Sequence, residues 1–255
     1  MKRILAVAGL VVGVLIIAAM TLFAATFSGR LPIIDGFERA GIRVLQDGRV
    51  TVGILPLDAG SVALIDAGND PQGKVILAEL ARRSLPTSAV TAILLTHGHR
   101  DHIRAAPLFP EATVMALEAD VALAEGREKG HGPLLRLLPA HPTGFTVRRV
   151  LHDGETVTLG PRQVHVYAVP GHTAGGAAYL VDSVLFLGDS ADSDKAGRVQ
   201  GSAWIVSDST SEDAESLRRL AKRLEAEQAD VKTLVFSHSG VLDVGLAPLV
   251  GFDGR

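Results

Sequence analysis

Thr96-His97-Gly98-His99-Arg100-Asp101-His102 puts three imidazoles and a carboxylate within six residues. It follows Ala92-Ile93-Leu94-Leu95, an apolar run that reads as a buried strand. Such a density of nitrogen and oxygen donors suits metal binding rather than core packing. Two histidines one residue apart at a strand end can converge on one ion if the chain turns there, and Gly98 permits a turn. Asp101 and His102 then fall on the following loop or helix start. Imidazole and carboxylate donors without thiolate suit zinc, and also iron or manganese.

The pattern His97-x-His99-x-Asp101-His102 resembles the signature of the metallo-β-lactamase superfamily. Leu64-Ile65-Asp66-Ala67-Gly68 precedes it, as that family's first motif does. Gly171-His172-Thr173-Ala174-Gly175, Leu187-Gly188-Asp189-Ser190 and Ser237-His238-Ser239-Gly240 follow in the family's order. The resemblance runs from about Ile42 to Gly240. It implies an α/β (α+β) chain folded as a four-layer αβ/βα sandwich. Periodicity alone says only α/β or α+β.

Between the motifs, strand signals recur. Ile42–Gln46 and Val50–Leu57 flank Asp47-Gly48, a hairpin dipeptide. Further strands are expected at 62–65, 92–95, 113–116, 147–151, 156–159, 163–169, 177–181, 184–187 and 231–236. Helical spacing appears over Lys74–Ser84, Glu118–Glu125 and Ser211–Glu227, the last with Leu217, Leu220 and Leu224 on one face. Gly126–Phe145 is the least regular stretch, and with Ala191–Val206 it reads as a substrate loop. His131 and His141 match no motif, and His152 and His165 read as surface or strand-edge histidines.

The resemblance implies a ligand set residue by residue. His97, His99 and His172 would hold one divalent ion, and Asp101, His102 and His238 a second. Asp189 would bridge them. Asp66 and Thr173 would support the ligands from behind, and Asp101 would also be catalytic as a proton shuttle. Two divalent ions, two carboxylates and a bridging hydroxide leave a centre of about +1, which draws the water's pKa toward ~7. The expected cofactors are therefore two divalent metal ions, zinc first, with iron or manganese as alternatives.

The implied activity is hydrolysis of a small carbonyl ester, lactone or thioester by that hydroxide. A phosphodiesterase or nuclease of the same fold is the runner-up, and a β-lactam hydrolase a further alternative. An aspartate at Asp189 is absent from true β-lactamases of the superfamily. Only Val241–Arg255 follow the Ser237–Gly240 motif, too little for the family's glutathione-binding region, so a glutathione thioester is not expected. Cysteine is absent, which removes thiol catalysis and disulfides. Lys+Arg 25 against Asp+Glu 28 gives a net charge of -3, with no basic field for nucleic acid. The expected partner is a small-molecule substrate.

Three segments are expected. Residues 1–29 form a membrane anchor or signal segment, 30–41 a linker, and 42–255 the hydrolase domain. Lys2 and Arg3 precede an uncharged run, Ile4–Phe27, longer than the ~20 residues of a membrane-spanning helix. A cleaved signal has a shorter apolar core and a small-x-small site, which Ala24–Ser28 supplies poorly. A retained anchor with the domain outside the cytoplasm is the expectation.

Overall fold

A computed structural model describes residues 27–58 and 60–254, with isolated helical positions at 13, 14, 17, 21 and 24. The apolar run Ile4–Phe27 lies almost wholly outside the described residues. Among the described residues, no helix is long and apolar enough to cross a membrane.

Two sheets form the centre. The first has seven strands in sequence order: β1 (Phe37–Arg39), β2 (Ile42–Asp47), β3 (Val50–Pro56), β4 (Val62–Ile65), β5 (Val90–Leu94), β6 (Thr113–Leu117) and β7 (Arg149–Leu151). Pairing is antiparallel from β1 to β4 and parallel from β4 to β7. All four residues of β4 are buried, as both-face coverage of a parallel strand requires. The second sheet is built from β8 (Thr156–Leu159), β9 (Arg162–Ala168), β10 (Ala177–Val181), β11 (Val184–Phe186) and the last strand, Thr233–Val235. β8 alternates exposed and buried residues along its length.

Three apolar clusters define four layers. Ile65, Leu94 and Met115 from the first sheet meet Val166, Tyr179 and Phe186 from the second. The outer face of the first sheet, with Ile54, Leu64 and Ile93, packs on Ile76 and Leu80 of α1 (Lys74–Arg82). The outer face of the second, with Val169 and Leu185, packs on Leu217, Leu220 and Leu224 of a long helix, Thr210–Ala226. The order helix, sheet, sheet, helix is the expected sandwich. Ser209 starts the long helix by accepting a hydrogen bond from Glu212 N–H at 3.2 Å.

Two elements differ from the sequence expectation. The segment read as a linker is part of the fold: Phe37–Arg39 pairs with β2, and Leu31 N–H donates to Ser193 O at 2.8 Å. Ala191–Ser193 (β12) pairs with Val199–Gly201 (β13) as a ribbon, which makes the last strand of the second sheet β14. Gly29, Pro32 and Gly36 signalled irregular chain in the first case. In the second, Asp192 and Ser193 hid a short strand that is nonetheless buried; Arg30 pairs with the Asp192 carboxylate at 2.5 Å.

Candidate metal centre

The residues singled out in the sequence gather where strands of both sheets end. Asp66 follows β4, and His97 and His99 follow β5. Asp101 and His102 lie on α2 (Arg100–Ile103), with His99 at its N-terminal boundary. His172, Asp189 and His238 follow β9, β11 and β14, which run parallel to one another. Hydrogen bonds between the sheets fix this edge: Ala177 N–H donates to Thr96 O at 2.8 Å, and Tyr179 Oη–H to Leu95 O at 2.6 Å.

Gly98 serves a different purpose from the turn expected of it. Its φ is not positive; instead, a β-carbon there would lie 2.6 Å from Ala124 N. The glycine lets α3 (Val121–Ala124) press against the histidine loop. Gly188 does need its left-handed backbone, at φ 57, and a β-carbon would meet Thr96 at 2.7 Å. The turn places Asp189 immediately afterwards.

Donor atoms of three overlapping sets converge within 4.8 Å: His97 with His99 and His172; His97 with His102 and Asp189; and Asp101 with His102 and His238. Asp189 lies between the first and last of these. One of its oxygens is 3.3 Å from His102 Nε2; the other is 3.0 Å from His238 Nε2 and 3.5 Å from His172 Nε2. The structure thus brings all seven predicted ligands together. Asp101 is the most exposed of them, with its carboxylate 3.5 Å from His238 Nε2.

The surrounding hydrogen bonds show which nitrogen of each ring points inward. Asp66 accepts from Thr96 N–H at 2.7 Å and from its hydroxyl at 2.7 Å. Because that hydroxyl proton is spent on Asp66, the Thr96 oxygen accepts from His97 Nδ1–H at 3.1 Å. His102 Nδ1–H donates to Asp66 at 2.9 Å, and His238 Nδ1–H to Arg49 O at 2.8 Å. Ser207 donates to Ala203 O, so its oxygen accepts a hydrogen bond from His172 Nδ1–H at 2.9 Å. Four rings therefore turn Nε2 to the centre. Such fixing of a ring by its other nitrogen is what a metal-binding imidazole needs.

The donor set fits metal ions on this structure's own chemistry. His97 Nε2, His102 Nε2 and Asp189 Oδ1 are buried without a hydrogen-bond partner. His99 Nδ1 and His172 Nε2 face each other at 2.9 Å. Burial, the largest influence, holds His97 and His172 well below the ordinary histidine value and His99 at about 4. The neutral rings keep their lone pairs. Burial also opposes charge on His102 and His238, but the nearby carboxylates, Asp189 foremost, outweigh it and raise both. Those two imidazoles in turn hold Asp189 well below the usual carboxylate range despite its burial.

Asp66 carries a positive φ of 61, rare for a residue with a side chain. The conformation directs both its oxygens at Thr96 and His102, behind the histidine cluster. Thr173 donates its hydroxyl to Asp120 at 2.8 Å. Asp120 was not singled out in the sequence. It also accepts from Gly98 N–H and Gly175 N–H, each at 2.7 Å, and so binds the His97–His99 loop to the His172 loop. The one available signal was an acidic residue in Leu117-Glu118-Ala119-Asp120-Val121-Ala122-Leu123 with no nearby cation to pair it.

A cavity of about 370 Å³ opens on His99, Asp101, Asp189 and His238. The Gly126–Phe145 loop forms one wall. Leu134 N–H donates to Ile205 O at 2.9 Å, so the two expected substrate loops are stitched together. His141 reaches the cavity edge, whereas His131 pairs with Glu128 at 3.0 Å on the surface. His152 and His165 are exposed.

The Metallo-beta-lactamase superfamily profile matches residues 47–238. The chain is 37% identical over 112 residues to a hydroxyacylglutathione hydrolase of Aliivibrio fischeri, covering 42% of this chain and 36% of that protein. A hydroxyacylglutathione hydrolase of a Shewanella species is 31% identical over 139 residues, covering 54% and 46%. In both, the match spans less than half of the relative's own length. Among solved structures, a subclass B3 metallo-beta-lactamase of Bradyrhizobium japonicum superposes with a TM-score of 0.59 at 21% identity, covering 84% of this chain and 81% of that one. A B3 enzyme with an active-site glutamic acid gives 0.63 at 17%, covering 88% and 85%. At such identities the likeness concerns the fold.

Proposed function

The chain belongs to the metallo-β-lactamase superfamily, and on that premise we propose that it is a dinuclear metal-dependent hydrolase of carbonyl esters, lactones or thioesters. The observation that carries this reading is Asp189, whose two oxygens reach histidines of both ligand sets. His97, His99 and His172 would hold one ion, Asp101, His102 and His238 the other, and Asp189 both. Bound there, divalent ions, zinc first, supply a hydroxide nucleophile at neutral pH and polarise a carbonyl oxygen. The protein's own part is to fix four of the five rings by their outer nitrogens, keep His97, His99 and His172 neutral by burial, and exclude bulk water beneath the cavity. Asp101, the most accessible carboxylate of the set, is placed to accept a proton at the cavity floor and release it to the leaving group.

Thioester cleavage gains support from the hydroxyacylglutathione hydrolases, despite the short shared length. A net charge of -3 and few aromatic residues leave a nucleic-acid substrate second. The test compares wild type with His99→Ala and Asp101→Ala on ester, lactone, thioester, β-lactam and phosphodiester reporters. Carbonyl hydrolysis should fall ~10²-fold or more in each variant. Cleavage of the phosphodiester alone would refute the carbonyl reading. Elemental analysis should find about two ions per chain; at most one after reconstitution refutes the dinuclear centre.

Ile4–Phe27 is proposed as a membrane anchor that leaves the domain outside the cytoplasm, on the strength of its length and the preceding Lys2 and Arg3. A C-terminal reporter active only after export tests this. Activity of a cytoplasm-only reporter instead would reverse the orientation.

A further inference from the structure

The cavity above the ligands is walled mainly by hydrocarbon: Phe27, Leu123, Leu134, Leu135, Leu138 and Val206. Phe27, at the end of the long apolar run, brings its ring to 6.1 Å from that of the candidate ligand His238. It is held there by the chain that follows. Arg30 stacks 4.5 Å above its ring and pairs with Asp192, and the Leu31 carbonyl accepts from Gly240 N–H at 2.8 Å. Elsewhere on the lining, Leu134 and Leu135 are half-buried, while Leu138 is 53% exposed. The apolar surface therefore continues from the ligands to the rim. Arg49, Arg100 and Lys129 are exposed at the cavity's edge and bring cationic groups there.

A site for a small polar acyl group has no use for this lining. Exposed leucines on a loop of stitched backbone are retained against the solvent's preference, and contiguous apolar surface beside a polar centre marks the seat of an apolar ligand. We infer that the substrate is an amphiphile: an ester or thioester whose acyl part is a long aliphatic chain lying between Phe27 and the Leu134–Leu138 turn. Its carbonyl is then at the ligand cluster and its polar end at the cationic edge. This inference rests on the hydrolase reading above and narrows it to one substrate class.

The experiment uses the full chain and a series of acetyl, butyryl, hexanoyl and octanoyl thioesters of one water-soluble thiol. Burial of each added methylene in a hydrocarbon-lined site is worth up to about fourfold in kcat/KM. The octanoyl compound should exceed the butyryl one at least ~10-fold, and Phe27→Ala and Leu135→Asn should each flatten the series. Calorimetric binding of the free carboxylates to wild type gives a readout independent of turnover and of variant folding: octanoate should bind and acetate should not. A flat or falling series, equal binding of the two carboxylates, or faster cleavage of a hydroxyacylglutathione than of the octanoyl thioester overturns the inference and leaves the hydrolase reading intact. Absence of hydrolysis across every carbonyl compound overturns both.

Discussion

Replacing Asp120 by Asn tests the idea that one buried carboxylate holds the two histidine loops in register. Asp120 is 1% exposed and accepts three hydrogen bonds, from Gly98 N–H, Gly175 N–H and the Thr173 hydroxyl. Burial pushes its carboxyl up, and the three donors pull it back. All three partners are donors, so an acceptor-only group suits the pocket. An amide of the same shape keeps one oxygen and sets an N–H₂ against at least one donor. A buried donor left without a partner costs about 1–3 kcal/mol. For a domain of this size that lowers Tm by roughly 2–10 °C. The loss is directional, because His97 and His99 lie on one tethered loop and His172 on the other. Affinity for zinc, measured by competition with a chromogenic chelator, should fall ~10–100-fold, as when other groups behind metal ligands are removed. An Asp120→Asn protein with wild-type zinc affinity and a Tm within ~1 °C of wild type would refute the reasoning.

Asp66→Asn should weaken zinc binding by a similar ~10–100-fold in the same competition assay, since an amide cannot accept from Thr96 N–H, the Thr96 hydroxyl and His102 Nδ1–H together. Asparagine tolerates the φ of 61, so the backbone would not be the cause. Gly98→Ala should cost about 1–3 kcal/mol, read by denaturant unfolding, because its methyl would sit 2.6 Å from Ala124 N. Glu79→Gln should destabilise by roughly 1–2 kcal/mol at neutral pH, a figure reduced because Arg82 is 54% exposed. Hydrogen bonds from Arg82 first, then Arg83, hold the Glu79 carboxyl at about 2, below its ordinary 4.5. Its stabilisation is therefore complete above pH 4.5 and lost as pH falls toward 2, so the Tm gap between wild type and variant should close over that window.

The fold was legible where pattern and burial coincide. Val62–Ile65 is a continuous apolar run because both of its faces are covered, and Thr210–Ala226 shows its leucines at helical spacing because only one face is. β1 and β12 were not legible, although each pairs with the next strand in sequence, because each is three residues long and carries charged side chains (Glu38 and Arg39; Asp192) that break any apolar alternation. The His97–His102 cluster was visible from its density of donors, and His172, Asp189 and His238 from the order of motifs that resembles the metallo-β-lactamase superfamily. Asp66 was visible from the first motif of the same resemblance, Leu64-Ile65-Asp66-Ala67-Gly68.

Asp120 marks where that kind of reading stops. Its function depends on two loops more than fifty residues apart meeting at one carboxylate, and no local spacing encodes that meeting. The same holds for Phe27. In the sequence it is the last residue of an apolar run, and in the fold it is a wall of the cavity beside His238. Local chemistry and the order of the motifs thus mark which side chains are candidates to bind a metal ion. Tertiary contacts decide how rigidly they are held and what lies above them. The proposed preference for a long acyl chain accordingly rests on Phe27 and the Leu134–Leu138 turn, which carry no reactive group, rather than on the candidate ligand set.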